Sequence, residues 1–418
     1  SNVSSSIISS SMVSSSIISS SIVSSRRSQQ AQQHSQLSQQ SPKLQCSAAV
    51  DAFSLPSYDG CRSSSAGFVD MICAFQTLQI DASKIRSDRG GEPLQSVMGR
   101  GEPPEFPVYT KGAFTIKQTP RMPPTGRPMR NLHHVQSILD AMQVGDTTTC
   151  ETTWPGTTLL VTRYEYVNLF HTTTDWWNTF FVLPHDAKQP INIVFLDAHA
   201  EGILDPVWTQ LFANYTFVKH LPHTKTCFER AIVVPPGYDN VLFRRRGKLP
   251  CDSAEMVEIF AQHVLQSYHL EDVQQIPGKV IIIDRVPFIS HPRAKAASFE
   301  RILRNFDELQ QLIQQIPGIT SVHLVRLEQL PFAEQVREFR SSQIVIANHG
   351  AGLTHLLYAH RSVNILELSS NHLNFFAFMS QLKGIHHEYI NMRATSNRRI
   401  PQHAMGKIVG RVRTLVGA

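Results

Sequence analysis

The feature that most constrains the fold is the stretch 343–355, which reads Gln-Ile-Val-Ile-Ala-Asn-His-Gly-Ala-Gly-Leu-Thr-His. Its apolar run at 344–347 suits a strand of a parallel sheet that is covered on both faces. A glycine-bearing turn follows this strand at once, and an apolar helical segment follows the turn. Because open α/β sheets bind ligands at the carboxyl ends of their strands, Asn348 and His349 are predicted to lie beside a ligand.

The two glycines of this turn, Gly350 and Gly352, indicate the kind of ligand. Because glycine has no Cβ, the turn can adopt unusual φ angles and let the phosphate groups of a ligand approach the backbone closely. The amides that open the next helix, from about Leu353, lack partners within the helix and carry the positive end of its dipole. An anion is therefore the predicted ligand, although a glycine turn by itself is equally consistent with a plain strand-to-helix connection.

Three further apolar strands surround this stretch and favour the ligand-binding interpretation. One covers 279–284 and ends beside Arg285, one covers 322–327, and one covers 363–368 and carries Glu367. Helical patterns lie between these strands. Strands that alternate with helices predict a doubly wound parallel sheet, so the fold class is predicted to be α/β.

The helices of this half are predicted from apolar residues at helical spacing. The first covers 299–315 and carries Arg301 and Asn305 on one flank. Its inward residues are predicted to be Ile302, Leu309, Leu312 and Ile313. Three others are predicted at 331–340, 371–381 and 400–416, and Pro331 suits the first turn of a helix.

The N-terminal half also alternates strands with helices, and one of its helices carries a candidate catalytic pair. Strands are predicted at 159–161, 192–197 and 231–234, and helices at 165–183, 205–213 and 252–268. His171 and Asp175 are four residues apart, which puts both on one face of the first of these helices. Spacing alone favours a surface hydrogen bond or a buried structural pair over catalysis, so a catalytic assignment needs further evidence.

Charge and composition argue against a nucleic-acid partner. The net charge is +6, but Arg26, Arg27 and Lys43 supply three of these charges from a tail without acidic residues. The remaining excess is too small and too scattered for a nucleic-acid footprint. Residues 1–45 are rich in serine and glutamine with neither a helix nor a strand period, which predicts a disordered tail or stem.

The cysteines and the apolar runs exclude two further classes. The six cysteines contain no Cys-x-x-Cys pair, which argues against a structural zinc site and leaves disulfides open. No apolar run approaches the roughly 18 residues needed to span a bilayer.

Several separate stretches form a recognisable set. They are Arg-Gly-Gly-Glu-Pro-Leu-Gln-Ser-Val-Met-Gly-Arg at 89–100, Val-Thr-Arg-Tyr-Glu-Tyr-Val-Asn-Leu-Phe-His-Thr-Thr-Thr-Asp-Trp at 161–176, His-Pro-Arg at 291–293, Arg301 with Asn305, Gln-Val-Arg at 335–337, His-Gly-Ala-Gly-Leu-Thr-His at 349–355, and Glu367. Together they resemble glycosyltransferase family 61, and within it the plant-type β-1,2-xylosyltransferases that act on the core of N-glycans. The resemblance covers about residue 46 to the end of the chain.

The resemblance implies a GT-B architecture, in which two Rossmann-like domains face a cleft. The predicted divisions are a disordered tail at 1–45, an acceptor-side domain at 46–250 and a nucleotide-sugar-binding domain at 251–418. The family works without a required metal, and no clear Asp-x-Asp motif follows a predicted strand in this sequence. We therefore expect neither a cofactor nor a metal site.

The implied reaction transfers xylose from UDP-xylose to the 2-hydroxyl of the core β-mannose of an N-glycan, with inversion at the transferred sugar. A single displacement of this kind needs a base for the acceptor hydroxyl and stabilisation of the departing UDP. We assign the base role to Asp175, with His171 orienting it, and the reverse order stays open.

The donor is expected to bind to the second domain. Stabilisation of the leaving group is assigned to the backbone at 350–353 together with Arg285, and contact with the ribose is assigned to Glu367. The full predicted donor set is Arg285, Arg301, Asn305, His349, Gly350, Ala351, Gly352, Leu353, Thr354 and Glu367.

The resemblance also implies the surroundings of the protein. Its expected partners are UDP-xylose and the N-glycans of glycoproteins, and its expected location is the Golgi lumen, as a type II membrane protein whose anchor is not part of this sequence. Because that lumen is oxidising, Cys227 and Cys251, which bracket a strand and its following loop, are predicted to form a disulfide.

Two alternatives stay open. The first keeps the scaffold and changes the sugars, to N-acetylglucosaminyl, arabinosyl or xylan-directed xylosyl transfer. The second is a catalytically inactive glycan-binding protein. The joint presence of His171, Asp175 and the glycine turn favours an enzyme.

Overall fold

The computed structural model describes residues 54–63, 71–99, 106–122, 132–222, 225–238, 240–243, 253–285, 291, 302–370, 374–392 and 398–417. The tail predicted at 1–45, Arg301 and Cys251 lie outside these ranges. Within them, no helix combines the length and the apolar character needed to cross a membrane.

The N-terminal part of the chain builds a mixed sheet. Its strands are β1 Gly60–Ser63, β2 Met71–Asp81, β5 Phe114–Ile116, β6 Met142–Val144, β7 Thr152–Val161, β8 Ile191–Phe195, β9 Tyr215–Phe217 and β10 Lys225–Val233, while β3 Ile85–Arg86 and β4 Val108–Tyr109 pair separately. The helices of this part are α1 Leu94–Val97, α2 Leu132–Asp140, α3 Leu169–Val182, α4 Asp205–Leu211 and α5 Ser253–Ser267. The strands predicted at 159–161, 192–197 and 231–234 are confirmed as β7, β8 and β10, but β8 ends at Phe195 and β10 ends at Val233.

The order of this sheet creates a crevice between two of its strands. The strands lie in the order β6-β5-β2-β10-β7-β8-β9, with β1 on β2, and β7 is parallel to both β8 and β10. The chain runs from β7 outward through β8 to β9 and then returns to the other side of β7 as β10. In an open α/β sheet such a reversal leaves a crevice at the carboxyl ends of the two strands where it occurs, here β7 and β10.

The C-terminal part builds the predicted parallel sheet. Its strands are β11 Lys279–Ile283, β12 Ser321–Val325, β13 Ile344–Asn348, β14 Asn364–Ser369 and β15 His386–Asn391. They lie in the order β12-β11-β13-β14-β15, and each neighbouring pair is parallel. This order reverses between β11 and β13, so the ligand crevice of this sheet is expected at the carboxyl ends of those two strands.

Helices cover both faces of this second sheet, as the apolar strands predict. They are α6 Phe306–Gln314, α7 Phe332–Ser341, α8 Phe375–Lys383 and α9 Gln402–Val416, and a 3-10 helix covers Ala351–Tyr358. Alternate residues of β13 enter different cores because successive side chains of a strand point to opposite faces. Ile344 and Ile346 pack with residues of α6 and α9, whereas Val345 packs with the core that contains the 3-10 helix and α5.

A shared apolar core connects the two sheets. It contains Trp176 and Trp177 of α3, Phe260 of α5, Phe332 of α7 and Tyr358 of the 3-10 helix. The tryptophans are fully buried core residues. Each sheet falls within one of the two predicted domains, while the division at 250/251 itself stays a prediction.

One predicted helix is shorter than expected. The helix predicted at 299–315 is α6, which begins only at Phe306. Leu309 and Ile313 are buried as predicted, but Leu312 is 38% exposed, so its predicted inward position is wrong. Phe306, Leu309 and Ile313 define the buried stripe, and Leu312 lies at its border.

The predicted Cys227–Cys251 disulfide is also wrong. Cys227 pairs with Cys150 at a Cα separation of 5.7 Å, and Cys61 pairs with Cys73. The pairing of β7 with β10 places Cys227 opposite Thr153, which brings Cys150 just before β7 within reach.

Candidate active site

Arg285 and the glycine turn meet at the crevice of the second sheet. Arg285 follows β11, and His349 and Gly350 follow β13, the two strands between which the order reverses. The Arg285 Nη1 donates a hydrogen bond to the His349 carbonyl oxygen at 3.4 Å. A Cβ added to Gly350 would lie 2.5 Å from that Nη1. The predicted proximity of Arg285 to Gly350 is therefore confirmed, and it requires glycine at position 350.

The reason for the two glycines differs from the predicted one. Gly350 has φ 168°, which is extended backbone open to any residue, and Gly352 is not in the left-handed region either. At both positions glycine is favoured because a Cβ would come too close to a neighbouring side chain. A Cβ on Gly352 would lie 2.6 Å from the Leu327 Cδ1, so Gly352 packs against Leu327 rather than facing Arg285.

The helix after the turn is a 3-10 helix that begins at Ala351, not an α-helix that begins near Leu353. Its first bond runs from the Leu353 amide to the Gly350 carbonyl at 3.0 Å. The Leu353 amide is therefore already hydrogen-bonded. The amides of Ala351 and Gly352 come before this first bond, so the 3-10 pattern itself provides no acceptor for them. The side chains of Leu353 and Thr354 are buried, so they belong to the core rather than to a donor surface.

Glu367 does not fit a ribose contact, because both of its carboxylate oxygens are occupied. Oε1 is hydrogen-bonded to the His349 Nδ1, and Oε2 is hydrogen-bonded to the His387 Nε2 at 2.7 Å. Glu367 is 2% exposed. The register of β14 with β13 and β15 puts the three positions on one face of the sheet. Sequence reasoning missed β15 and with it His387.

Asn305 is a structural residue rather than a donor contact. It is buried just before α6, where its Oδ1 accepts from the Ile400 amide at 2.8 Å and its Nδ2 donates to the Ile400 carbonyl at 3.2 Å. It therefore fastens the segment before α9 to the start of α6. Arg301, its predicted companion, lies outside the described residues.

Gln335 and His355 of the motif set also bond to each other. The His355 ring is buried, and its Nε2 lies 2.8 Å from the Gln335 Oε1. Burial lowers the pKa of His355 to about 3, so this ring is neutral at physiological pH. The pair fastens α7 to the 3-10 helix.

Asp175 lies at the crevice of the first sheet. Its Oδ1 accepts from the Gly237 amide at 2.8 Å, just after the carboxyl end of β10. One turn further along α3, the Asn178 Nδ2 donates to the carbonyls of Pro235 and Pro236 at 3.0 and 2.9 Å. These bonds fix α3 over the end of β10, and no described residue hydrogen-bonds the Asp175 Oδ2.

The environment of Asp175 gives its carboxyl the properties of a base. Burial raises its pKa to about 8, although the hydrogen bond from Gly237 acts in the opposite direction. A carboxylate whose conjugate acid titrates near the working pH is a stronger base than an ordinary aspartate. Gly237 rather than His171 orients this carboxylate, so the predicted orienting role of His171 is wrong.

His171 lies among aromatic rings instead. Its ring centroid is 4.9 Å from that of Tyr238 and 5.7 Å from that of Phe243. Its buried Nδ1 has no hydrogen-bond partner among the described residues. Burial lowers the pKa of His171 to about 4, so the ring is neutral at pH 7 and accepts a proton less readily than Asp175.

Aromatic contacts link the crevices of the two sheets. Phe170, beside His171 on α3, lies 5.9 Å from Phe376 of α8. The Phe376 ring in turn lies 5.1 Å from the ring of His349. The residues predicted on the acceptor side and on the donor side therefore meet around one aromatic group.

A buried ion cluster behind the first crevice was not predicted. The fully buried Arg163 guanidinium, just after β7, bonds Asp197 at 2.7 Å and both carboxylate oxygens of Asp205 at 2.7 and 2.8 Å. Burial disfavours the charge of Arg163, but the two carboxylates hold its pKa above the usual value. The sequence signal that could have identified this cluster is the position of Arg163 directly at the end of a predicted strand.

Comparison with known proteins indicates the family of this chain. The family model described as Glycosyltransferase 61 matches residues 169–366. Beta-1,2-xylosyltransferase RCN11 of Oryza sativa subsp. japonica is 30% identical over 366 residues, which cover 77% of this chain and 68% of that protein. Beta-1,2-xylosyltransferase of Arabidopsis thaliana is 27% identical over 82% of this chain and 77% of that protein.

A second group of relatives is more distant. The EGF domain-specific O-linked N-acetylglucosamine transferase of Gallus gallus is 26% identical over 56% of this chain and 44% of that protein, so the chain matches less than half of its length. The matched segment of the family model contains Asp175, Arg285, the glycine turn and the first three residues of β14. The chain belongs to glycosyltransferase family 61 and is a glycosyltransferase.

Proposed function

We propose that the protein transfers xylose from UDP-xylose to the 2-hydroxyl of the core β-mannose of N-glycans, forming a β-1,2 linkage with inversion. The identity to two beta-1,2-xylosyltransferases over most of the chain supports the sugar and the linkage. The single structural observation that carries the reaction class is the Arg285 guanidinium against the Gly350 backbone, at the crevice of a parallel sheet.

The proposed arrangement is GT-B, with an acceptor domain at 46–250 and a donor domain at 251–418 that face a cleft. The position of both crevices around the same aromatic group supports it. The proposed location is the Golgi lumen, reached as a type II membrane protein.

On the donor side, the proposed leaving-group site contains a permanent positive charge and backbone amides. Arg285 stays protonated at all physiological pH values and matches the geometry of phosphate oxygens. The amides of Ala351 and Gly352 add donors at the start of the 3-10 helix. These groups would stabilise the charge of departing UDP, so the reaction is proposed to need no metal.

On the acceptor side, Asp175 is the proposed base. The acceptor hydroxyl oxygen forms a bond to C1 of xylose while the bond from C1 to the UDP oxygen breaks, and the hydroxyl proton passes to the Asp175 carboxylate. The hydrogen bond from Gly237 holds Oδ1, which leaves Oδ2 to receive the proton.

Incubation of a core N-glycopeptide with UDP-xylose tests the proposed function. Mass analysis is expected to detect the addition of one pentose, and excess EDTA is expected to leave the rate unchanged. A β-1,2-xylosidase should remove the added sugar. Absence of pentose transfer, or complete loss of transfer in EDTA, would contradict the proposal.

A second candidate, transfer of N-acetylglucosamine, is supported by the identity to the EGF domain-specific transferases. The same assay with UDP-N-acetylglucosamine and a folded EGF domain separates the two candidates. We expect UDP-xylose with the N-glycopeptide to give the faster reaction.

Replacing Gly350 with alanine is expected to weaken UDP binding about tenfold, the effect of losing one charge-assisted hydrogen bond. The added Cβ would displace the flexible end of Arg285 rather than backbone, so the fold should persist. Calorimetric titration with UDP measures the effect. Gly406→Ala is the matched control, because nothing lies within 4 Å of its Cβ position. Equal UDP affinity in both variants would show that Arg285 is not part of the donor site.

A further inference from the structure

Asn214 begins an Asn-Tyr-Thr triplet that the mechanism above does not use. An Asn-x-Ser/Thr triplet, with any residue except proline in the middle, is the acceptor of N-glycosylation in proteins of the secretory route. The sequence contains one other such triplet, Asn-Val-Ser at 2–4, which falls in the part of the chain that the structure does not describe. Because short triplets also arise by chance, the place of Asn214 in the fold decides whether it can carry a glycan.

Asn214 lies in the short connection between α4 and β9, directly before Tyr215. Its side chain is exposed and forms no hydrogen bond with any residue of the described ranges. The side chains of Asn178 and Asn192, by contrast, donate to backbone carbonyls and so hold parts of the fold together. A glycan on Asn214 would therefore extend into solvent and break no contact of the folded state.

The strand that follows Asn214 lies at the end of the first sheet. β9 contains three residues and pairs with β8 on one side, and no described strand pairs with its other side. An unpaired strand edge can pair with another chain, and proteins protect such edges by several covering devices. A bulky, solubilising glycan that begins directly before β9 would cover this edge.

The position of Asn214 keeps a glycan away from the crevice of the first sheet. β7, β8 and β9 are parallel, so their carboxyl ends lie at the same edge of the sheet as the crevice. Asn214 precedes β9 and lies about 10 Å before that edge, at the usual rise of about 3.3 Å per residue. In addition, β8 separates β9 from β7, the strand that borders the crevice.

The disulfides indicate a compartment in which N-glycosylation takes place. Cys61 pairs with Cys73, and Cys150 pairs with Cys227. Disulfides form and persist in oxidising compartments such as the lumen of the secretory route. This observation supports entry into that route without reference to the sugar or to the acceptor of the enzyme.

We propose that Asn214 is an N-glycosylation site and that its glycan covers the open edge of β9. The inference goes beyond the proposed reaction and depends only on the proposed secretory route. In the modification, the Asn214 Nδ2 forms a bond to C1 of the first sugar of a lipid-diphosphate oligosaccharide. The bond from that C1 to the diphosphate oxygen breaks, its electron pair stays on the oxygen, and Nδ2 gives one proton to a base of the oligosaccharyltransferase.

Peptide mapping of the protein purified from the cells that produce it tests the site. A peptide N-glycosidase converts a glycosylated asparagine into aspartate, and heavy-oxygen water labels the new carboxylate. The peptide that contains residue 214 is expected to carry labelled aspartate at that position. Recovery of this peptide with unmodified Asn214 would overturn the inference.

Variants of Thr216 provide matched controls in a eukaryotic host that secretes the chain. Thr216→Val removes the hydroxyl that the triplet requires and keeps a β-branched residue in β9, so the glycan at Asn214 should be lost. Thr216→Ser keeps the hydroxyl and should keep the glycan. A glycan that persists on Asn214 in Thr216→Val would contradict recognition of the triplet.

The covering role is tested with Asn214→Gln. This variant should transfer sugar at the parental rate, because Asn214 is distant from the crevice, but it should aggregate faster on warming, because the edge of β9 is bare. Light scattering measures aggregation, and Asn2→Gln is the control that removes the other triplet. Parental light scattering in Asn214→Gln would overturn the covering role. If Asn214→Gln is not secreted, the parent protein treated with the N-glycosidase in its folded state replaces it.

Failure of this inference can be distinguished from failure of the proposed function. Unmodified Asn214 in a protein whose two disulfides are formed overturns the inference alone. Unmodified Asn214 together with free thiols at Cys61 and Cys150 overturns the proposed location as well. The proposed donor and acceptor are decided separately, by the transfer of pentose to the N-glycopeptide.

Discussion

Replacing Asp175 with asparagine is expected to lower the rate of sugar transfer at least about a hundredfold, because loss of a general base typically costs about 10² to 10⁴ in rate. Asparagine keeps an oxygen that can accept from the Gly237 amide, so the position of α3 should not change. UDP affinity should stay at the parental value, since Asp175 lies on α3 at the end of the first sheet, whereas the proposed donor site lies at the second sheet. Single-turnover transfer and UDP titration together measure the effect.

The pH dependence of the parent provides an independent test of this role. Because the pKa of Asp175 is raised to about 8, the base form grows with pH, and kcat/KM should rise with pH until about 8. His171→Asn is the matched control on the same face of α3. If Asp175→Asn transfers within a few-fold of the parent, Asp175 is structural and His171 becomes the first candidate for the base.

The difference in Tm between Asp175→Asn and the parent is expected to depend on pH. The folded state holds a proton on Asp175 up to about pH 8, whereas an unfolded aspartate releases it near pH 3.9. The stabilisation from this proton is therefore complete below about pH 4 and is lost as the pH rises through 8. The Tm of Asp175→Asn relative to the parent should increase between pH 4 and pH 8, and a Tm difference independent of pH would contradict the raised pKa.

Replacing Arg163 with methionine is expected to destabilise the protein by about 3 to 5 kcal/mol, the usual effect of removing one partner from a buried ion pair. Asp197 and Asp205 would remain buried next to each other without their cation. The urea midpoint of unfolding should fall accordingly. Arg163→Lys should fall less, because lysine keeps the charge but cannot bond both carboxylates as a planar fork.

Two further sets of variants test whether the loss of stability comes from the unpaired buried charges. Arg337→Met removes an arginine from the exposed pair with Glu334 and should hardly change the midpoint. Adding Asp197→Asn and Asp205→Asn to Arg163→Met should recover part of the lost stability, since no unpaired charge then remains buried. An Arg163→Met midpoint equal to that of Arg337→Met would show that the buried cluster does not stabilise the fold.

Apolar runs in the sequence were sufficient to predict the parallel sheet, and they placed the predicted ligand site at the carboxyl ends of its strands. The buried runs in β11 and β13 are apolar without interruption, which is sufficient to identify strands covered on both faces. Because the carboxyl ends of parallel strands share one edge, Arg285 and Gly350 could be predicted as neighbours although they are far apart in the chain. The family could likewise be recognised from short stretches, since these combine residue type with fixed spacing.

The tertiary structure alone decided which partner each polar side chain has. Asp175 is held by Gly237, Glu367 by His387 and Asn305 by Ile400, and each partner lies on a different element. A helical or strand period gives the face on which a side chain lies, but not the group that reaches that face from another element. For the same reason β15, a polar edge strand, and the Cys150–Cys227 disulfide followed only from strand pairing, which no local pattern contains.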